Sequence, residues 1–224
     1  EGRELLKTEF RIVRKDKSTC WVDCRGRIIK GDEGQVWLYA MMLDDTEDKD
    51  RICTYREKSR RDPLTGLLNR EASRERISEF LEADGKDGMT AALMIVDLDN
   101  FKVINDTLGH IKGDLLLQEV AGVLKKTLRA SDLSGRVGGD EFIALLHPVS
   151  SPAGVRQCVQ RICSSVHSVM DRDFNDFSVT CSIGISMYPA DGNDIAALVE
   201  KADKAAYAVK RKGKNGFAFY SDLL

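Results

Sequence analysis

Six consecutive apolar residues, Ala91-Ala92-Leu93-Met94-Ile95-Val96, run straight into Asp97-Leu98-Asp99. An unbroken apolar run of this length fits a strand buried on both faces, and carboxylates at its end mark where the sheet opens onto a site. Side chains alternate along a strand, so Asp97 and Asp99 share one side if the strand reaches that far. A second stretch has the same character in reverse order: Gly138-Gly139-Asp140-Glu141 leads into the apolar run 142–146. Paired glycines between strand-like segments signal a hairpin, because glycine reaches positive φ at no steric cost. The turn sets Asp140 and Glu141 at the start of a buried strand and leaves the backbone before them open to a bulky anion. Taken alone, an ordinary hairpin with a polar tip explains this second stretch as well as a site does.

The two stretches together say more. If their strands are neighbours, Asp97, Asp140 and Glu141 form a compact carboxylate cluster, which is unfavourable unless a cation neutralises it. Hard oxygen ligands of this kind suit magnesium or manganese, with phosphate completing the shell. The residues alone point to a metal-dependent phosphate site.

Composition narrows the class. The 224 residues are 42% apolar and 31% charged, as in a soluble globular protein, and the length allows one large domain or two small ones. A net charge of −2 gives no general pull toward nucleic acid or an anionic membrane, and no apolar run is long enough to span a bilayer. No signal peptide is visible, and a cytoplasmic location is expected for this portion. The six cysteines, at 20, 24, 53, 158, 163 and 181, lack the paired spacing of a zinc site and read as reduced thiols. Cys158 and Cys163 fall in a helical pattern, where a buried free thiol is the common outcome.

Along the chain, residues 1–45 read as three strands, 7–14, 19–29 and 35–43, separated by polar turns. Glu9-Phe10-Arg11-Ile12-Val13 and Trp21-Val22 resemble the C-terminal half of a PAS sensor domain. Three strands alone bury little surface, and no ligand pocket is argued for them. Residues 46–61 are highly charged, with Ile52 and Tyr55 as a sparse apolar stripe, consistent with a connecting helix. Pro63 interrupts that pattern. Beyond it, the periodicity predicts a helix from 64 to about 81, a strand from 91, and a helix after Phe101. That helix breaks near Gly109-His110 and resumes from 114 to 128. The acidic hairpin follows, then a helix 154–170, a strand 177–187, a helix 195–210 and a final strand 216–220. Strands alternating with helices imply an α/β (α+β) domain with a mixed central sheet over 62–224.

Several motifs occur in one order: Arg61-Asp62-Pro63-Leu64-Thr65-Gly66-Leu67-Leu68-Asn69-Arg70, Asp97-Leu98-Asp99-Asn100-Phe101-Lys102, Asn105-Asp106-Thr107-Leu108-Gly109-His110, Gly138-Gly139-Asp140-Glu141-Phe142, Ser182-Ile183-Gly184-Ile185, and Lys201-Ala202-Asp203-Lys204-Ala205-Ala206-Tyr207. This set resembles the GGDEF family of diguanylate cyclases over residues 58–224. The resemblance implies a polymerase-palm-like sheet wrapped by helices, and condensation of two GTP into cyclic di-GMP with release of two pyrophosphates. It implies two magnesium (or manganese) ions per active site, held by Asp97, Asp140 and the Leu98 carbonyl. Glu141 is implied as a further ligand or as the group that activates the 3′-hydroxyl, and the base is Asp140 or Glu141. Lys102, Lys210 and Lys214 match triphosphate contacts. The last position is more often arginine in the family, which leaves bidentate geometry open but keeps the charge. Phe101, Gly138 and Gly139 match positions that bound the substrate.

By the same resemblance Asp114 accepts from guanine with Asn105 as its partner, which favours GTP over ATP. Either residue is equally readable as a helix cap. Arg129-Ala130-Ser131-Asp132, nine residues before Gly138, resembles the family's inhibitory site for its own product, with Arg161 as a secondary arginine. One GTP per domain implies a homodimer, and the helix over 46–61 is implied to pair with its twin. The alternatives are a catalytically silent domain that binds GTP or cyclic di-GMP, and a sensory or dimerisation scaffold built on residues 1–60. The scaffold leaves the acids unexplained. No basic groove for a nucleic-acid template is evident.

Overall fold

The computed structural model describes residues 5–30, 35–49, 51, 59–83, 89–174, 177 and 179–224. The chain divides into two compact units, Glu1–Ser59 and Arg60–Leu224.

The first unit is an antiparallel meander of β1 (Leu5–Val13), β2 (Thr19–Lys30) and β3 (Val36–Asp44), in that order. The turn between β1 and β2 closes on Asp16, whose Oδ1 accepts from the Ser18 amide and hydroxyl at 2.9 and 2.6 Å. Cys20 and Val22 are buried on β2, whereas every residue of β3 is exposed. Residues 46–49 are helical, and most of the connecting helix expected over 46–61 lies outside the described residues, Ile52, Cys53 and Tyr55 included.

The second unit is a five-stranded mixed sheet in the order β5-β6-β4-β7-β8, where β4 is Ala91–Asp99, β5 Leu133–Arg136, β6 Glu141–Leu146, β7 Thr180–Tyr188 and β8 Gly216–Phe219. Only β7 and β8 run parallel. On one face Met94, Val96, Leu98 and Phe142 pack against α2 (Phe101–Leu108), α3 (His110–Thr127) and α4 (Pro152–Asp173). On the other, Leu93, Ile95, Ile143 and Leu145 pack against α1 (Arg70–Ala83) and α5 (Ile195–Arg211). The six apolar residues at 91–96 are all buried, so the central strand is covered on both sides as its composition requires. Burying each large side chain contributes about 1.5–3 kcal/mol, which fixes the register of the acids at its end.

The helix expected from Leu64 begins only at Arg70. Asp62 Oδ1 instead accepts from the Thr65 amide (2.8 Å) and hydroxyl (2.6 Å), a local bond that competes with helix formation. Gly66 follows at φ 66°. Asn69 Oδ1 then accepts from the Ala72 amide at 2.9 Å and caps α1. Leu67 is buried from this turn rather than from a helical face. No helix among the described residues is long and apolar enough to cross a membrane.

Candidate active site

Antiparallel pairing of β4 with β6 puts Asp97 directly opposite Glu141. The Leu98 amide donates to the Asp140 carbonyl at 3.3 Å, so Leu98 and Asp140 take the hydrogen-bonded register. Asp97 and Glu141 therefore occupy the close, non-hydrogen-bonded one, where side chains on one face approach most nearly. Like charges in that relation repel. Burial pushes the Glu141 carboxyl above its ordinary pKa, and Asp97, Asp140 and Asp203 add to the shift. Burial also raises Asp97, reinforced by Asp140 and Asp99, while Lys210 opposes it with Nζ 2.6 Å from Oδ2. Asp203 of α5 is raised as well, first by burial and also by Asp97, against Lys210.

As the side chains stand, no three His, Cys, Asp or Glu groups among the described residues gather to hold a metal ion. The compact cluster expected from the sequence is thus not closed. Lys210 holds one oxygen of Asp97 at 2.6 Å. The donor set still suits a hard divalent cation: Asp97 and Glu141 on adjacent strands with Asp140 beside them, the first two made reluctant to ionise chiefly by burial.

The hairpin glycines serve space rather than φ. Neither Gly138 nor Gly139 has the positive φ expected for them. A Cβ on Gly138 would stand 2.6 Å from Glu141 Oε2, whereas one on Gly139 would meet nothing within 4 Å. Gly138 makes room for the Glu141 carboxylate, and Gly139 keeps the approach to the turn open. The turn closes through the Val137 and Gly138 amides, which both donate to the Glu141 carbonyl at 3.0 and 3.3 Å.

Two basic residues hold this hairpin from outside. Arg136 donates from Nε and Nη2 to the Gly139 carbonyl at 3.1 and 2.8 Å, and its Nη1 pairs with Asp62 at 3.3 Å. Arg70, at the start of α1, donates from Nε to the Val137 carbonyl at 2.6 Å. Burial works to raise Asp62, yet its bonds from Thr65 and the Arg136 guanidinium hold it below the ordinary carboxylate range.

Asp99, on the same face as Asp97, has a different environment. It is 2% exposed and accepts from the hydroxyls of Thr180 (2.7 Å) and Ser182 (2.8 Å) and from the Asn215 amide (3.2 Å). It thereby ties the loop after α5 to the end of β4. Lys214, in that loop at φ 67°, donates to Asn100 Oδ1 at 2.7 Å. Lys210 and Lys214 both reach the end of β4, where Phe101 opens α2. On the α1–α5 side a cavity of about 530 Å³ is lined by Glu141, Asp203, Arg70, Arg74 and the apolar Ile143 and Val199.

The family model for the diguanylate cyclase GGDEF domain matches residues 59–216. The chain belongs to the GGDEF diguanylate cyclase family. A PAS-fold model matches residues 1–41. Diguanylate cyclase DgcP of Pseudomonas aeruginosa is 40% identical over 162 residues, which is 71% of this chain and 24% of DgcP; the chain spans about a quarter of that relative. A structure of TpbB from the same organism, comprising only its GGDEF domain, matches with a TM-score of 0.66 at 36% identity, covering 71% of this chain and 94% of that one. The coiled coil and GGDEF domain of DgcB from Caulobacter crescentus, in complex with c-di-GMP, matches with a TM-score of 0.68 at 27% identity, covering 77% and 92%.

The remaining expected positions of this GGDEF domain lie on its helices and loops. Lys102 is exposed on the first turn of α2. Asn105 and Asp114 sit inside α2 and α3, which begin at Phe101 and His110, so neither is a helix cap. Gly109 alone separates the two helices, and α3 starts at His110 rather than at Asp114. A Cβ on Gly113 would stand 1.9 Å from Asn105 Oδ1, so Asn105 lies against the turn that carries Asp114. In the Arg129–Asp132 loop both carboxylate oxygens of Asp132 accept backbone amides, from Arg129 at 2.8 Å and His147 at 3.1 Å. Burial pushes the Cys158 thiol up, with Arg161 and Arg129 opposing the shift and Asp132 adding to it.

Sequence reasoning missed Arg136, Arg70 and Asp203. Asp203 and Lys210 are seven apart on α5, two turns along one face, a signal that was present. The roles of Arg136 and Arg70 rest on backbone carbonyls that no sequence pattern marks.

Proposed function

We propose that this chain is a diguanylate cyclase that condenses two GTP into cyclic di-GMP and two pyrophosphates. The observation that carries this reading is the opposition of Asp97 and Glu141 across a close strand pair, with Asp140 adjacent and Lys210 facing them. Asp97, Asp140, Glu141 and the Leu98 carbonyl would hold magnesium or manganese, two ions per site, which when bound offsets charge on the attacking and leaving oxygens.

The chain's own residues account for the rest. Lys210 exchanges Asp97 for phosphate, and Lys214 and Lys102 add positive charge beside the triphosphate. The N-terminus of α2 at Phe101 favours an anion. Asp114, with Asn105 against its turn, accepts from the guanine N1-H and amine. Gly138 and Gly139 leave the α-phosphate an open approach. The 3′-oxygen of one GTP forms a bond to the α-phosphorus of the other, the bond to pyrophosphate breaks, and the hydroxyl proton passes to a hairpin carboxylate. Asp140 or Glu141 is that acceptor, and either stands beside Asp97. Two domains facing one another each supply one GTP, so the working unit is a homodimer.

Product inhibition is proposed at Arg129, Asp132 and Arg161, where two guanidinium groups offer phosphate and guanine contacts. Incubating the chain with GTP and magnesium and separating the nucleotides tests the reading: cyclic di-GMP accumulates and then stalls. Intact GTP at dimerising protein concentrations would favour a silent binding domain. Arg129→Ala should raise the product level at which synthesis stalls, and an unchanged inhibition curve would remove that site.

A further inference from the structure

Cys163 of α4 and Cys181 of β7 face one another across the core, with the Cys181 thiol donating to the Cys163 sulfur at 3.9 Å. Both are free thiols. Cys181 is buried, opposite Leu98 in the β4–β7 ladder, while Cys163 is partly exposed. We propose that these two residues form a peroxide-sensitive dithiol that closes to a disulfide joining α4 to the strand beside the active site. None of the cyclase chemistry above uses either sulfur.

The geometry divides the roles. Cys163 is the sulfur that solvent can reach and Cys181 lies buried behind it, 3.9 Å away. The accessible sulfur is the one peroxide meets first, and the buried thiol in contact with it is placed to resolve the product.

Hydrogen peroxide is the oxidant. The Cys163 thiolate attacks one peroxide oxygen; the S–O bond forms, the O–O bond breaks, and the departing hydroxide takes a proton to become water. The Cys181 sulfur then attacks the Cys163 sulfenic sulfur, the S–S bond forms, the S–O bond breaks, and the thiol proton leaves with hydroxide as a second water. Two thiols have lost two hydrogens, and one peroxide has become two waters.

Position gives this bond a consequence. Thr180 and Ser182, which flank Cys181, are the residues whose hydroxyls hold Asp99. Drawing the Cys181 sulfur toward α4 acts on the segment that anchors the end of β4.

Trypsin separates the two cysteines cleanly, since cleavage after Arg161, Arg172 and Lys201 leaves one in 162–172 and the other in 173–201. The purified chain is treated with hydrogen peroxide, digested without reduction and analysed by mass spectrometry. The result expected is a linked 162–172/173–201 pair, lighter than the summed peptides by two hydrogens and released by dithiothreitol. Cys181→Ser should yield Cys163 as sulfinic or sulfonic acid instead, because the resolving thiol is gone; Cys163→Ser should leave Cys181 a thiol under the same treatment. Recovery of both wild-type peptides unlinked, at peroxide levels that oxidise methionine in the same sample, would overturn the proposal. So would a Cys181→Ser chain whose Cys163 remains a thiol. This readout does not depend on which reaction the domain catalyses.

Discussion

Asp97 and Asp99 stand two residues apart on one strand and one face, and their surroundings are opposites. Asp99 is buried among two hydroxyls and a backbone amide that together satisfy it. Asp97 faces Glu141 across a close pair, with Asp140 near and Lys210 as counter-charge. The same division runs through the flanks: Asp62 is held by Thr65 and Arg136, whereas Asp203 is raised by burial and by Asp97. Carboxylates satisfied within the fold are scaffold. Carboxylates left in mutual repulsion have binding capacity to offer a cation.

The largest effect that would sharpen this contrast comes from Asp140→Asn. Turnover of GTP should fall by about a hundred- to a thousand-fold, the scale for losing a group that stabilises developing charge, with the thermal melt nearly unchanged. A melt that collapsed together with activity would break the contrast by making Asp140 scaffold.

Asp99→Ala is the opposite case. It strands the buried Ser182 hydroxyl, the half-buried Thr180 hydroxyl and an amide, and should cost about 2–3 kcal/mol of stability, read as a lowered denaturant midpoint. Asp99→Ala with wild-type stability would show that the buried bonds are not what holds the loop carrying Lys214.

Next in size is the pH response of Asp62. Its folded pKa is lowered below the ordinary aspartate value, so its stabilising contribution is present above that value and lost as pH falls through the folded pKa. Its partial exposure limits the contribution to about 1 kcal/mol. Wild type should therefore lose more stability than Asp62→Asn on acidification below about pH 4, and parallel pH profiles would remove the Asp62–Arg136 contact from the fold's support.

The smallest effect should be that of Asp203→Asn. Burial and Asp97 raise its pKa, so its charge costs the fold stability and neutralising it should increase the melting temperature slightly. A decrease would mean that attraction to Lys210 outweighs repulsion by Asp97.

The order of strands and helices in the second unit was legible because 91–96 and 142–146 are too apolar to be anything but buried, and because Asp97 and Glu141 end those runs. Less was legible at helix starts. The Asp62–Thr65 turn overrides an apolar pattern that continues through Leu64 and Leu67, and Gly109 interrupts the backbone for one residue only, so Asp114 falls inside α3. Positive φ was expected at Gly138 and is not found there; a Cβ would instead meet the Glu141 carboxylate, a contact three residues away that the turn pattern does not encode. Asp99 was expected only to share a side with Asp97, and its role became visible from its neighbours on β7 and the loop after α5. Those neighbours are distant in sequence and carry no motif linking them to β4.

The most direct measurement is cyclic di-GMP synthesis by Asp97→Asn and Asp99→Asn side by side, each with its thermal melt. Asp97→Asn is expected to keep the melting temperature and lose synthesis, while Asp99→Asn loses stability and keeps measurable synthesis in its folded fraction. Wild-type synthesis by Asp97→Asn would contradict the assignment of the repelling carboxylates as the reactive set.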